Sequence, residues 1–338
     1  MTSTQGRAGT PGNTTHAGTT QASTTQGSAN DVILSRIAEA LTWTGRYVER
    51  ADATGRILDA YLHRLLEDPW RDEDVACRSL YAILGVDAGT DPVDMQQVLD
   101  HLAFDARSTC AIEGALGAAR LNARSAREAV SSEMWECLNS TWHALADQRL
   151  AARRTGPYAY LELVRRRAAL FFGLADSTMS RDDSWRFVVL GRSLERVDMT
   201  VRLLSVRVLD APHAPDWPTL LSASGADEAY ARVYGGFGDT ARVAEFLIMD
   251  REFPRSVLHA LTTAEECLAA LGRPRQDPAR RPIGRMRTRL EYLDSTALED
   301  VLPSLLGELQ ASCMASAEAV AERFFPYQGP VEWAQEGA

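Results

Sequence analysis

Lysine is missing from the 338 residues, so all 36 basic side chains are arginine. That excludes Schiff-base chemistry on a lysine amine, a Walker-type phosphate loop and a kinase-type ATP lysine. Cysteine is sparse: Cys77, Cys110, Cys137, Cys267 and Cys313 are scattered, with no Cys-x-x-Cys pair. An odd, dispersed set reads as reduced thiols in a cytosolic protein. Histidine is as thin, and no Glu-x-x-His occurs, which removes the pairing that builds di-metal sites in helical bundles. Asp59 and His63 share a helix face, which reads as a surface contact rather than half of a metal site. No apolar run approaches the ~20 residues a bilayer span requires. Arg7 has no hydrophobic segment behind it, so the N-terminus does not read as a signal peptide, and a cytoplasmic protein is expected. No metal and no cofactor is implied. A net charge of -10 repels phosphate backbones and argues against nucleic-acid binding.

What is present is helical periodicity. Residues 1–30 are Thr, Gly, Ser, Gln and Ala with little to bury, and read as a disordered tail. From Asp31 on, Ile33, Ile37, Ala40, Leu41, Thr44, Val48, Ala51, Ile57, Leu58, Tyr61, Leu62 and Leu65 recur at three- and four-residue spacing, and no proline intervenes before Pro69. One long helix over 33–67 is expected. Asp91-Pro92 predicts the start of a helix reaching about Ala103. Further helices are expected over 115–130, from Ser131 onward, from Pro157 through Leu174, and from Asp182-Asp183 to Leu209. The Pro-rich stretch Ala211–Pro218 reads as a linker, and helices follow near 226–234, 239–249, 254–271, 283–294 and 297–324. No segment sustains period-two alternation, so the expected fold class is all-α, a bundle of about ten or more helices.

Self-comparison is the most informative step. Gly45-Arg46-x-x-Glu49-Arg50-x-Asp52-x-Thr54-x-Arg56 matches Gly191-Arg192-x-x-Glu195-Arg196-x-Asp198-x-Thr200-x-Arg202 at an offset of 191 − 45 = 146. Leu102, Asp105, Ala115 and Leu116 match Leu247, Asp250, Ala260 and Leu261 at 145. Copies of this length exceed solenoid units, which run ~20–50 residues. The expectation is a duplicated half-domain, about 31–155 and 157–324, with a pseudo-two-fold arrangement and a tail over 325–338.

Helical spacing puts Arg46, Glu49 and Arg50 on one face with Asp52 beside them, and repeats the layout with Arg192, Glu195, Arg196 and Asp198. Two readings stay open. The charges hold long helices in register, or the arginines grip carboxylates or phosphates of a ligand. Under the second, Glu49 or Glu195 serves as a general base, provided burial raises its pKa. No histidine or cysteine lies within the motif as nucleophile or shuttle. Secondary candidates are Glu133 and Trp135 in Ser131-Ser132-Glu133-Met134-Trp135-Glu136, although a helix start explains the first and core packing the second. The cluster Arg280, Arg281, Arg285, Arg287 and Arg289 reads as a solvated face.

These residues resemble the alpha-E family, a helical domain of unknown function named for its Glu-Arg motif. The resemblance rests on Leu34-Ser35-Arg36 with Trp43-Thr44-Gly45-Arg46-Tyr47-Val48-Glu49-Arg50-Ala51, on the Ser131–Glu136 stretch, on Gly191-Arg192-x-x-Glu195-Arg196 with Asp198, and on Phe246-Leu247-x-x-Asp250. It covers about residues 31–324. Ala103-Phe104-Asp105-Ala106-Arg107 departs from it, lacking a proline-asparagine continuation. The resemblance implies an accessory subunit, encoded beside or fused to a circularly permuted ATP-grasp protein. A transglutaminase-like peptidase and a proteasome-like peptidase accompany such proteins. A role in making, modifying or degrading peptides is implied, with no catalytic residue. The alternative is a stand-alone enzyme acting on peptides or amino acids through the Glu-Arg pairs. Oligomeric state is not implied either way.

Overall fold

The apolar stripe that begins at Ile37 wraps an unusually long first helix, and the rest of the chain is arranged around it. The computed structural model describes residues 27–326, apart from 69, 71, 210–213, 237–239 and 273–276. Its helices are α1 (Gly27–Glu67), α2 (Glu73–Leu84), α3 (Met95–Leu102), α4 (Ile112–Ser125), α5 (Ser132–Thr155), α6 (Tyr158–Thr178) and α7 (Asp183–Leu209). They continue with α8 (Trp217–Ser224), α9 (Asp227–Tyr234), α10 (Thr240–Met249), α11 (Val257–Leu271), α12 (Arg280–Glu291) and α13 (Leu298–Phe324), the last preceded by a 3-10 turn at Ser295–Ala297. No strand occurs among the described residues, and the all-α expectation holds.

Several boundaries move for local reasons. Residues 1–26 of the expected tail lie outside the described residues, while Gly27 already belongs to α1. The helix expected at Asp91-Pro92 starts later, because Asp94 forms a reciprocal capping box with Gln97. Two short helices fall where none was expected. In α2, Asp72 accepts from the backbone of Asp74 and Val75, and Gly85 closes the other end at φ 69°. In α8, whose first two residues fall in the expected linker, Asp216 caps, Pro218 follows, and Gly225 stops the helix at φ 62°. Residues 211–213 of that linker lie outside the described residues. Phe325, in the expected C-terminal tail, packs on Phe187 at 6.4 Å, and residues 327–338 lie outside the described residues.

The central pair is α1 with α7. Contacts advance together along both, from Gly45 against Val188 to Glu49 against Arg196, so the helices run in the same direction. Helices α4, α6 and α8 cover α1, while α11, α13 and α2 cover α7. Leu41, Val48, Ala51 and Leu58 of α1, and Val188, Leu190, Val197, Val201 and Leu204 of α7, are fully buried. Burying each of the leucines and valines stabilises the fold by about 1.5–3 kcal/mol relative to exposure. A mixed charged and apolar stripe therefore sits at the centre of the bundle.

Candidate functional site

The site begins with two glycines. A Cβ on Gly45 would lie 2.1 Å from the Val188 carbonyl oxygen, and one on Gly191 would lie 2.0 Å from that of Thr42. Only glycine permits this approach of α1 to α7. It brings the two Glu-Arg motifs, four residues farther along each helix, into direct contact.

The motifs pair across the interface. Glu195 accepts at Oε2 from Nε of Arg46 at 2.9 Å and at Oε1 from Nε of Arg50 at 2.5 Å. Glu49 accepts at Oε1 from Nε of Arg196 at 2.7 Å and from Nη1 of Arg255 at 2.9 Å. Both glutamates are wholly buried. Arg50 and Arg196 also donate to backbone carbonyls, of Thr109 and Pro254 respectively. A second row lies beside the first. Asp52 binds Arg56 at 3.1 Å within α1 and also receives Nη2 of Arg255. Asp198 binds Arg202 at 2.8 Å within α7. Seven of the eight primary candidates thus pair directly, in three sets: Glu195 with Arg46 and Arg50, Glu49 and Asp52 joined through Arg255 with Arg196 and Arg56, and Asp198 with Arg202. Arg192 is the exception: it turns to Asp176 at 3.8 Å and lies over the Phe172 ring.

Electrostatics follows from these pairings. Burial would push the Glu49 carboxyl up, but the guanidiniums of Arg196 and Arg255 outweigh it and hold the pKa at about 2. Glu195 is likewise lowered, with Arg46 and Arg50 overcoming burial. The raised pKa on which the general-base reading depends is therefore not found at either glutamate. Burial together with the nearby Arg196 lowers Arg192 instead.

The secondary candidates lie elsewhere. Ser131 caps α5 by accepting from the Met134 amide, Glu133 is exposed in the first turn, and Trp135 is half-buried with Arg120 over its ring at 5.7 Å. Of the arginine cluster on α12, Arg280 and Arg287 grip Glu265, and Arg289 grips Glu308. His63 stays at the surface with its ring nitrogen on the Asp59 carbonyl. No group of three or more His, Cys, Asp and Glu among the described residues is placed to hold a metal ion.

Sequence reasoning missed two features. Arg255, central to the network, aligns with Cys110 at the repeat offset, so identity between copies discards it. The other is a cavity of about 660 Å³ on α9 and the α10–α11 turn, bordering the ridge at Pro254, whose carbonyl accepts from Arg196. Phe246, Phe253 and Val233 give it an apolar wall, and Asp227, Glu228, Asp250 and Glu252 an acidic one. No described helix is long and apolar enough to cross a membrane.

Comparison with known proteins agrees with this architecture. An uncharacterised protein of Mycobacterium bovis is 25% identical over 325 residues, covering 85% of this chain and 36% of its own length. Uncharacterised proteins of two Mycobacterium tuberculosis strains match to the same extent. The chain thus spans about a third of the length of these curated relatives. No solved structure matches it. Residues 33–325 match the family described as a predicted alpha-helical domain with a conserved ER motif, and the chain belongs to that family, Alpha-E.

Proposed function

We propose that this chain is a non-catalytic helical accessory protein that docks a cognate ATP-grasp ligase in a cytoplasmic system for peptide synthesis, modification or degradation. One observation carries the reading. The charges that define the family are directed at each other inside the bundle, with Glu49 and Glu195 buried, ionised and held by two arginines each. A signature used this way positions helices, and recognition falls to the surface. The acidic and apolar cleft of about 660 Å³ is a surface suited to it. The greater length of the mycobacterial relatives leaves room for a fused second module, the arrangement the family resemblance implies. A transglutaminase-like peptidase would act in the same system.

The stand-alone enzyme has less to work with, because an ionised glutamate closed in by two guanidiniums is a poor base. The test is binding of the purified protein to the ATP-grasp protein from the same genome, by calorimetry at micromolar concentration. A 1:1 complex supports docking. Absence of binding, or peptide turnover by the isolated protein that is lost in Glu49→Gln, overturns it.

A further inference from the structure

The network has a gap, and the molecule contains a template for what fills it. At the repeat offset Thr109 corresponds to Pro254, and both carbonyls accept from the equivalent arginines, Arg50 at 3.4 Å and Arg196 at 3.3 Å. The next residues, Cys110 and Arg255, therefore occupy equivalent positions, but only one carries a cation. Arg255 donates to Oε1 of Glu49 and Oδ2 of Asp52 and nearly closes its slot, leaving a cavity of about 20 Å³. On the other side the matching carboxylates are Glu195 and Asp198. Among the described residues, Oε1 of Glu195 accepts only from Arg50 and Oδ2 of Asp198 only from Arg202. Each of these two oxygens has one partner where its counterpart has two, and a carboxylate oxygen can accept two, although Oε2 of Glu195 already takes both Arg46 and Arg50. A cavity of about 110 Å³ stands in front of them, with Cys110 at its exposed rim and Leu84 and Met199 in its wall.

We infer that the Cys110 cavity is a binding slot for a guanidinium group, an arginine side chain from outside the chain taking the position that Arg255 holds in the other half. The planar fork presents two donors to the two waiting oxygens, while the aliphatic stem packs on Leu84 and Met199. An ammonium supplies a point charge without the fork and binds less well. Charge balance sets one condition. Around Glu49 and Asp52, Arg192 bonds neither carboxylate and acts on Glu49 only through space, whereas its counterpart Arg46 bonds Glu195 directly. An incoming guanidinium competes with that charge, so Arg46, which also lies over the Trp43 ring at 5.1 Å, loosens when the slot fills. The slot does not depend on the proposed docking of a ligase.

Cys110 supplies the probe, being the exposed one of the five cysteines. The full-length protein is alkylated with uncharged iodoacetamide, and modification of Cys110 is followed by mass spectrometry. Agmatine, free arginine, a capped Gly-Arg-Gly peptide, the capped lysine peptide and sodium chloride are compared at matched ionic strength. At a tenfold excess over Kd, guanidinium compounds are expected to slow labelling about tenfold. Protection by agmatine and the arginine peptide assigns the slot to arginine side chains, and protection by free arginine alone assigns it to the amino acid. Asp198→Asn is expected to abolish protection and Arg46→Gln to strengthen it. Cys110→Arg is expected to raise the thermal midpoint and make it insensitive to agmatine. Labelling unchanged by any guanidinium compound, or slowed equally by the lysine peptide or by salt, overturns the inference without recourse to any variant.

Discussion

Gly45 and Gly191 occupy equivalent places on α1 and α7, and each presses its Cα against the backbone of the other helix, at Val188 and Thr42 respectively. This reciprocal contact sets the distance at which the Glu-Arg motifs meet. Gly45→Ala and Gly191→Ala would each place a methyl group about 2 Å from a carbonyl oxygen that rigid helical backbone cannot withdraw. Each is expected to cost about 1–3 kcal/mol or more in urea unfolding. Gly173→Ala on α6 is the control: nothing lies within 4 Å, and helix propensity predicts stabilisation of up to about 1 kcal/mol. Equal effects at all three positions would refute the close-approach account.

The arginines should separate by partner. Arg50→Ala leaves the buried Glu195 with Arg46 alone, and breaking a buried pair costs about 3–5 kcal/mol. Arg192→Ala removes a cation whose nearest carboxylate is 3.8 Å away, and should cost clearly less. The measurement is the denaturation midpoint of both variants, and the reverse order would contradict the pairing.

Two buried carboxylates predict opposite pH trends. Glu49 has a folded pKa of about 2, below its unfolded value of 4.5. Its contribution is present above pH 4.5 and is lost as pH falls toward 2. Glu113 on α4 is raised to about 7, because burial outweighs its 2.8 Å contact with Arg149. Its contribution is complete below pH 4.5 and is lost as pH rises through 7. Glu113→Gln should therefore flatten the thermal midpoint between these values and raise it at pH 8 relative to wild type. An unchanged slope would exclude Glu113 as its source.

The acidic cleft makes a kinetic prediction. Asp227→Asn with Glu228→Gln removes charge from its rim, which should slow association with a docking partner and weaken its salt dependence while leaving the fold intact. Surface plasmon resonance at two ionic strengths measures this directly. Unchanged association rates would move the docking surface elsewhere.

Helix content, the long first helix and the eight-residue charged signature were legible because each depends on spacing along one helix. The rungs Asp52–Arg56 and Asp198–Arg202 are four residues apart and needed no tertiary knowledge. Helices α2 and α8 were missed because each is short and is marked mainly by an aspartate cap and a closing glycine, not by a sustained apolar period. The choice between a structural ridge and a catalytic one was also out of reach, since it turns on whether arginine attraction exceeds desolvation at Glu49 and Glu195.

The sequence by itself determined an all-helical chain with a charged face repeated on two of its helices, because helical periodicity is a property of neighbours three and four residues apart. Only the tertiary structure decided that Glu195 faces Arg46 and Arg50, that Glu49 faces Arg196, and that Arg255, 206 residues from Glu49, completes one slot while Cys110 leaves the other open. Those pairings depend on the register at which α1 meets α7 and on where the α10–α11 turn comes to rest. Both are set by packing between segments far apart in the chain.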